Sequence, residues 1–236
     1  MGDAVITGAN RGLGLALTQT FLADGWNVWS LCRSPENAGE LNKLKSEYGK
    51  SLEVQCCDLS QEENIVDATT RIMEKTPKVD ILLNNAAILH RDESLEAFDS
   101  NAFLDAMRVN AVAPTLLAQK LLPALKRSPS PKIINISSAS GVTSEVRAFN
   151  GLYSYKASKA ALNMLTKVLA FEIMDKGVTV LAVDPGWMKT KMGGTDATDE
   201  PKQVAKGIAR IARNASMDDT GKFIKWDGGK TVIGNR

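Results

Sequence analysis

The chain reads as α/β: one doubly wound domain, residues 1–236, on a parallel sheet of seven strands. Three observations predict this. Short β-rich runs alternate with long helical patterns along the sequence. The first run leads directly into a glycine-rich turn that opens a helix, Thr7-Gly8-Ala9-Asn10-Arg11-Gly12-Leu13-Gly14. No internal repeat, low-complexity tract or linker divides the 236 residues, a length that suits one domain with a substantial core.

Strands are expected at 4–7, 27–32, 52–56, 79–83, 132–136, 178–183 and 223–225. Helices are expected between them, at 12–24, 38–49, 61–76, 101–127, 153–176 and 201–214. Such alternation implies right-handed crossovers and a sheet covered on both faces. Ser128-Pro129-Ser130-Pro131 joins a helix to a strand and marks no boundary. The pattern at 153–176 is apolar round most of its circumference, with Ala157, Ala160, Ala161, Leu162, Met164, Leu165, Val168, Leu169 and Phe171. A helix resting one stripe on a sheet would show a polar back. Burial on a second side is therefore expected, against the 101–127 helix and against another copy, as a homodimer or homotetramer.

Composition excludes several classes. A formal charge of +2 offers no electrostatic reason to expect nucleic acid or an anionic membrane as partner. Three cysteines, two of them adjacent (Cys56, Cys57), make no disulfide or zinc framework, and are expected as small buried hydrophobes. The one histidine, His90, excludes a His-rich metal site and leaves no Ser-His-Asp triad. Only Met1-Gly2-Asp3 precede the first apolar run, so no signal peptide is expected. No apolar stretch is long enough to span a bilayer. The expected compartment is the cytosol.

Two segments carry chemistry. In Tyr155-Lys156-Ala157-Ser158-Lys159, the tyrosine and the second lysine stand four apart and share one helix face. A phenol keeps its proton until pH ~10. A neighbouring ammonium favours the phenolate and would pull that value toward neutrality. The same spacing also makes ordinary surface pairs, so the reading depends on what surrounds it. The glycine turn supplies that context. Glycines let backbone turn sharply and approach a pyrophosphate, and the following helix start offers free N–H groups and a positive dipole. The spacing is G-x-x-x-G-x-G, not the commoner G-x-G-x-x-G.

The second strand, Asn27-Val28-Trp29-Ser30-Leu31-Cys32, ends in Arg33, with no carboxylate to select NAD. Arg33, with Arg11 from the glycine turn, can instead bond a 2′-phosphate. That favours NADP.

Further along stand Asp58 and Leu59, Asn84-Asn85-Ala86-Ala87, Asn110, Ser137-Ser138, and Asp184-Pro185-Gly186 followed by Thr190. With the glycine turn and the Tyr155–Lys159 pair, in this order, the chain resembles the short-chain dehydrogenase/reductase family over essentially its whole length. Ala87 stands where that family usually has glycine. The resemblance implies a Rossmann-like fold and an NADP site. The cofactor residues it implies are Gly8, Asn10, Arg11, Gly12, Leu13, Gly14, Arg33, Asp58, Leu59, Asn85, Ala86, Tyr155, Lys159, Pro185, Gly186 and Thr190. It implies a catalytic set of Asn110, Ser138, Tyr155 and Lys159, with Ser138 rather than Ser137 as the active serine. The implied reaction is hydride transfer to a small carbonyl, or from a small alcohol, with Tyr155 as proton donor. Lys159 would hold the nicotinamide ribose and lower the phenol pKa.

Two departures are similar to the small C-factor-like carbonyl reductases of this family. Extra residues within 145–152 lengthen the path from Ser138 to Tyr155 and are expected to bulge beside the substrate. The loop 192–200 is short, which predicts no large lid and an open site. Phe149, Leu152 and Trp187 are candidates to line that site or to fill local core. Pro114 stands four residues after Asn110 in the same predicted helix and lacks an N–H. A kink there would free the Asn110 carbonyl for an ordered water, which the resemblance implies as part of a proton relay. The competing readings are an NAD-dependent alcohol dehydrogenase and a cofactor-binding regulatory protein.

Overall fold

The computed structural model describes residues 2–91, 93–145 and 151–229. Seven parallel strands form one sheet in the order β3-β2-β1-β4-β5-β6-β7. They are β1 (Asp3–Thr7), β2 (Asn27–Cys32), β3 (Leu52–Cys56), β4 (Ile81–Asn84), β5 (Lys132–Ile136), β6 (Thr179–Asp184) and β7 (Phe223–Lys225). The inner strands are apolar without alternation, as in Ile81-Leu82-Leu83, because helices cover both faces.

One face carries α1 (Gly12–Ala23), α2 (Gly39–Tyr48) and α7 (Pro201–Asn214), with Leu17, Phe21 and Ile208 in its core. The other carries α3 (Glu62–Lys75), α4 (Ser100–Met107), α5 (Ala113–Leu125) and α6 (Tyr153–Glu172), with Ile65, Leu117 and Ile173 buried beneath. The chain winds outward from β1 through β3, then returns to β4 on the other side of β1. Ligands of such sheets sit at that reversal, beyond the carboxyl ends of the strands.

One predicted element divides. The stretch 101–127 is not a single kinked α-helix. A π-turn, Arg108–Val112, separates α4 from α5, and Ala113 N–H donates to Arg108 O five residues back. Pro114 then falls in the first turn of α5, where a missing N–H is tolerated. The last predicted helix turn at 153–176 also tightens, into a separate 3₁₀ turn at Met174–Lys176.

Among the described residues no helix is long and apolar enough to cross a membrane. Helix α6 is covered on its inner side, with Leu162 and Ala170 buried, and packs against α4. Its outer side leaves Met164, Val168 and Phe171 exposed.

Candidate active site

The carboxyl ends of β1, β4, β5 and β6 meet along one edge, and the predicted residues follow them. After β1, Thr7 hydroxyl accepts from Asn85 N–H (2.9 Å) and Ala86 N–H (3.0 Å). Asn85 Nδ2 returns a bond to Thr7 O at 2.8 Å. The glycine turn is thereby fastened to the loop after β4.

Its glycines are required by contact as well as conformation. Gly8 has φ +65°, and an added Cβ would stand 2.9 Å from Ala86 Cα. A Cβ on Gly14 would stand 2.2 Å from Gly8 O and 2.6 Å from Asn85 Nδ2. Arg11, extended and exposed, precedes α1, whose first turn holds Gly12, Leu13 and Gly14 with no acidic side chain. The N–H groups of that turn lack intrahelical acceptors. A close-packed cradle with free donors fits a pyrophosphate.

The adenosine end is basic. Arg33 is exposed after β2, and among the described residues neither it nor Arg11 forms an ion pair. Asp58 Oδ1 accepts from Ser60 N–H (2.9 Å) and Ser60 hydroxyl (2.8 Å), and Leu59 is buried beside it.

At the other end, the Ser138 hydroxyl faces the Tyr155 phenol and opposes the rise of its pKa. Ser138 also accepts from Ser140 N–H at 3.1 Å, which fixes its hydroxyl at the start of a short 3₁₀ turn. Ser137 turns inward and donates to Asn163 Oδ1 at 2.6 Å. Geometry therefore brings the second serine, not the first, to Tyr155. Asp184 binds the two strand ends together: its carboxyl accepts from Gly186 N–H (3.1 Å) and from Ala139 N–H. Burial pushes its pKa up, against those bonds.

Lys159 lies one turn beyond Tyr155, buried, and donates to Ile136 O at 2.7 Å. Its Nζ is 5.7 Å from the Tyr155 ring centroid. Burial brings the ammonium down from 10.5 to about 7. Burial also pushes the Tyr155 phenol up to about 12, with the Ser138 hydroxyl opposing and the Asp184 charge assisting. The expected lowering of the phenol pKa by Lys159 is not found: burial dominates, and Lys159 is not among the groups that shift it. Both groups lose water, and loss of water favours the neutral form of each.

Asn110 sits in the π-turn and is 1% exposed. Its amide clasps Ile88, accepting from Ile88 N–H (2.8 Å) and donating to Ile88 O (2.9 Å), and donates to Ser158 Oγ at 3.0 Å. It joins the loop after β4 to α6, where the Ser158 hydroxyl in turn donates to Tyr155 O at 2.8 Å. The loop after β6 is closed on itself. Trp187 N–H donates to Asp199 Oδ2 (3.0 Å), and Trp187 Nε1 donates to Gly193 O (2.8 Å). Thr190 accepts from Gly193 N–H at 3.1 Å. Pro185 is buried, and a Cβ on Gly186 would stand 2.3 Å from Asp199 Oδ2. Asn10 is half-buried within the glycine turn.

Three participants have no motif. Arg91 donates to Met192 O, joining the loop after β4 to the loop after β6. Asn163 holds Ser137. Glu93 binds the start of α6. Of the expected bulge at 145–152, residues 146–150, Phe149 among them, lie outside the described residues. His90 sits in the loop after β4, its Nε2 buried without a partner among the described residues.

The chain is similar to known proteins over most of its length. Residues 3–201 match the family model described as short chain dehydrogenase. A short-chain dehydrogenase (anuI) of Penicillium roqueforti is 30% identical over 233 residues, covering 93% of this chain and 92% of that protein. An NADPH-bound carbonyl reductase from chicken fatty liver superposes with a TM-score of 0.91 at 32% identity, over 97% of this chain and 98% of that one. The carbonyl reductase Sniffer of D. melanogaster gives 0.91 at 30% identity over 98% of each chain.

Proposed function

Because this chain belongs to the short-chain dehydrogenase family of oxidoreductases, we propose that it interconverts a small carbonyl compound and its alcohol with NADP(H). The observation that carries this reading is the juxtaposition of Ser138 and Tyr155, with Lys159 one turn beyond, on the same edge as the glycine cradle.

The nicotinamide, when bound, supplies the hydride. Everything else falls to the chain. Tyr155, with its phenol held up to about 12, is protonated at neutral pH and donates that proton to the carbonyl oxygen. Ser138 orients the same oxygen through its hydroxyl and offsets the charge that develops there. Lys159, near 7, holds or releases a proton at physiological pH and resupplies the phenol. Asn110 fixes the loop that faces them, and its carbonyl, denied an N–H by Pro114, is the acceptor for a relay water. Gly8, Asn10, Gly12, Leu13 and Gly14 would hold the pyrophosphate. Asp58, Leu59, Asn85 and Ala86 would line the adenosine side, and Pro185, Gly186 and Thr190 the carboxamide side.

The basic pair Arg11 and Arg33, in place of an acid at the end of β2, supports NADP over NAD. The names of the chicken and D. melanogaster relatives support carbonyl reduction.

NADPH oxidation against a panel of carbonyl compounds tests the reading. We expect Tyr155→Phe to lower turnover by about 10²–10⁴-fold with NADPH binding retained. Arg33→Ala should weaken NADPH by about tenfold or more, with NADH unchanged. A clear preference of the native protein for NADH, or near-normal reduction by Tyr155→Phe, would refute it.

The exposed row Met164 (65%), Val168 (53%) and Phe171 (59%) on α6, beside Leu104 (56%), supports a second copy of this chain as partner. Sedimentation of Phe171→Glu against the native protein tests that assembly: a monomer is expected from the variant, and two species of equal mass would overturn it.

A further inference from the structure

Helix α6 begins without a cap of its own. Leu152, the residue before it, is left-handed (φ 63°), and its side chain makes no capping bond. A helix start leaves its first N–H groups without intrahelical acceptors. Lys156 N–H reaches Leu152 O at 2.9 Å, while Ser154 N–H, two residues earlier, needs an acceptor from outside.

That acceptor comes from 61 positions back in the chain. Both oxygens of Glu93 accept from Ser154 N–H, at 3.1 and 3.3 Å. Glu93 is 9% exposed. Gly151 presses the same two segments together through the backbone, since a Cβ on it would stand 2.9 Å from Glu93 O. Ser154 hydroxyl is buried and has no partner among the described residues, so the first turn of α6 is held here through the Ser154 N–H. A carboxylate at the positive end of a helix is favoured twice, by the dipole and by a charge-assisted bond.

The clamp is itself anchored. Ile88, on the same loop, is held from both sides by Asn110. Arg91 ties that loop to Met192 O. Tyr155 follows Ser154 directly, so the angle at which its phenol meets Ser138 depends on how the first turn of α6 is held.

We propose that Glu93 is a positioning residue for Tyr155, clamping the first turn of the helix that carries the proton donor. In that role it acts through Ser154 N–H, not on the reacting atoms. The inference rests on the carbonyl-reductase reading for its effect on turnover, and on geometry alone for its effect on the tyrosine.

The test uses the full chain in three variants. Glu93→Gln keeps an acceptor oxygen at the same reach, Glu93→Asp withdraws it by one methylene, and Glu93→Ala removes it. The chain is labelled with 3-fluorotyrosine, and the fluorine resonance of position 155 is assigned by its loss in Tyr155→Phe. That signal reports the phenol without any turnover. It should shift or broaden in Glu93→Asp and Glu93→Ala and return in Glu93→Gln. Turnover number should fall about tenfold or more in Glu93→Ala, less in Glu93→Asp, with KM for NADPH little changed.

A purely structural role would lower the melting temperature while leaving the fluorine signal and the turnover per NADPH-binding site at native values. That outcome in Glu93→Asp overturns the proposal even where Glu93→Ala does not fold. If the native protein reduces no carbonyl, the functional reading fails, and the fluorine signal still decides the positioning.

Discussion

Lys159 lies 5.7 Å from the ring centroid of Tyr155, yet its hydrogen bond goes to Ile136 O, 2.7 Å away. The two side chains share a helix face and a buried space without bonding each other. Each is pushed toward its neutral form by the same loss of water, the phenol up to about 12 and the ammonium down to about 7.

That shift has a consequence for stability. Between pH 7 and 10.5 the unfolded chain holds a proton on Lys159 that the folded chain has released. Stability therefore rises with pH across this window and is lowest below about 7, where the full cost, about 4–5 kcal/mol, applies. Lys159→Met should melt at a higher temperature than the native protein at neutral pH, with the difference shrinking as pH approaches 10. Melting curves at several pH values check this, and a constant difference would refute it.

The neighbouring serines should separate cleanly. Ser138→Ala removes the partner of Tyr155 and should lower turnover by about 10²-fold with little change in melting temperature. Ser137→Ala leaves Asn163 Oδ1 without a donor and should cost about 1–3 kcal/mol of stability with turnover nearly intact. Steady-state rates and thermal melts on both variants decide it; the opposite pattern would make Ser137 the active residue.

Glycine substitutions should sort by what a methyl group meets. Gly14→Ala drives a Cβ to 2.2 Å from Gly8 O, a backbone atom that cannot move aside cheaply. We expect lost NADPH binding and a lower melting temperature. Gly39→Ala, with nothing within 4 Å, should be neutral or stabilising by up to about 1 kcal/mol. Fluorescence titration with NADPH and thermal melts give both answers.

The far end of the sheet predicts an acid limb. Burial would raise the Asp80 pKa, but bonds from Lys78, Ser128 and Asp3 N–H hold it below the ordinary value of 3.8. A depressed carboxyl contributes stability that is present above its unfolded pKa and is lost as pH falls through the folded one. Asp80→Asn should lower stability at pH 7 and flatten its loss in acid. Urea unfolding from pH 7 to pH 2 measures both.

The sheet and most of the site were legible because both repeat local rules. Alternating strand and helix patterns locate the seven strands, and Tyr155 with Lys159 falls on one helix face by spacing alone. What spacing could not convey was direction. Ser137 and Ser138 stand side by side in the chain; the family resemblance favours Ser138, and the packing of Asn163 shows where Ser137 points instead. The pKa of Tyr155 depends on how much water the fold removes, which no motif encodes. Glu93 and Arg91 were silent because their partners lie 61 and 101 positions away, and each reads locally as an ordinary loop charge. Pro114 signalled an irregular helix correctly, but whether the chain kinks or winds wide there depends on the register α5 must keep against the sheet.

The π-turn at Arg108–Val112 amounts to one surplus residue in the winding. An α-helix turns about 100° per residue, so deleting Ala111 would let the backbone wind normally and still misdeliver everything after it. Leu117 and Leu121, both fully buried, would swing off the core by about that angle. Asn110 would lose its aim at Ile88. The chain thus carries the equivalent of an insertion it cannot lose: one end of the long helix is phased to the core, the other to the loop beside Tyr155, and the surplus residue reconciles the two.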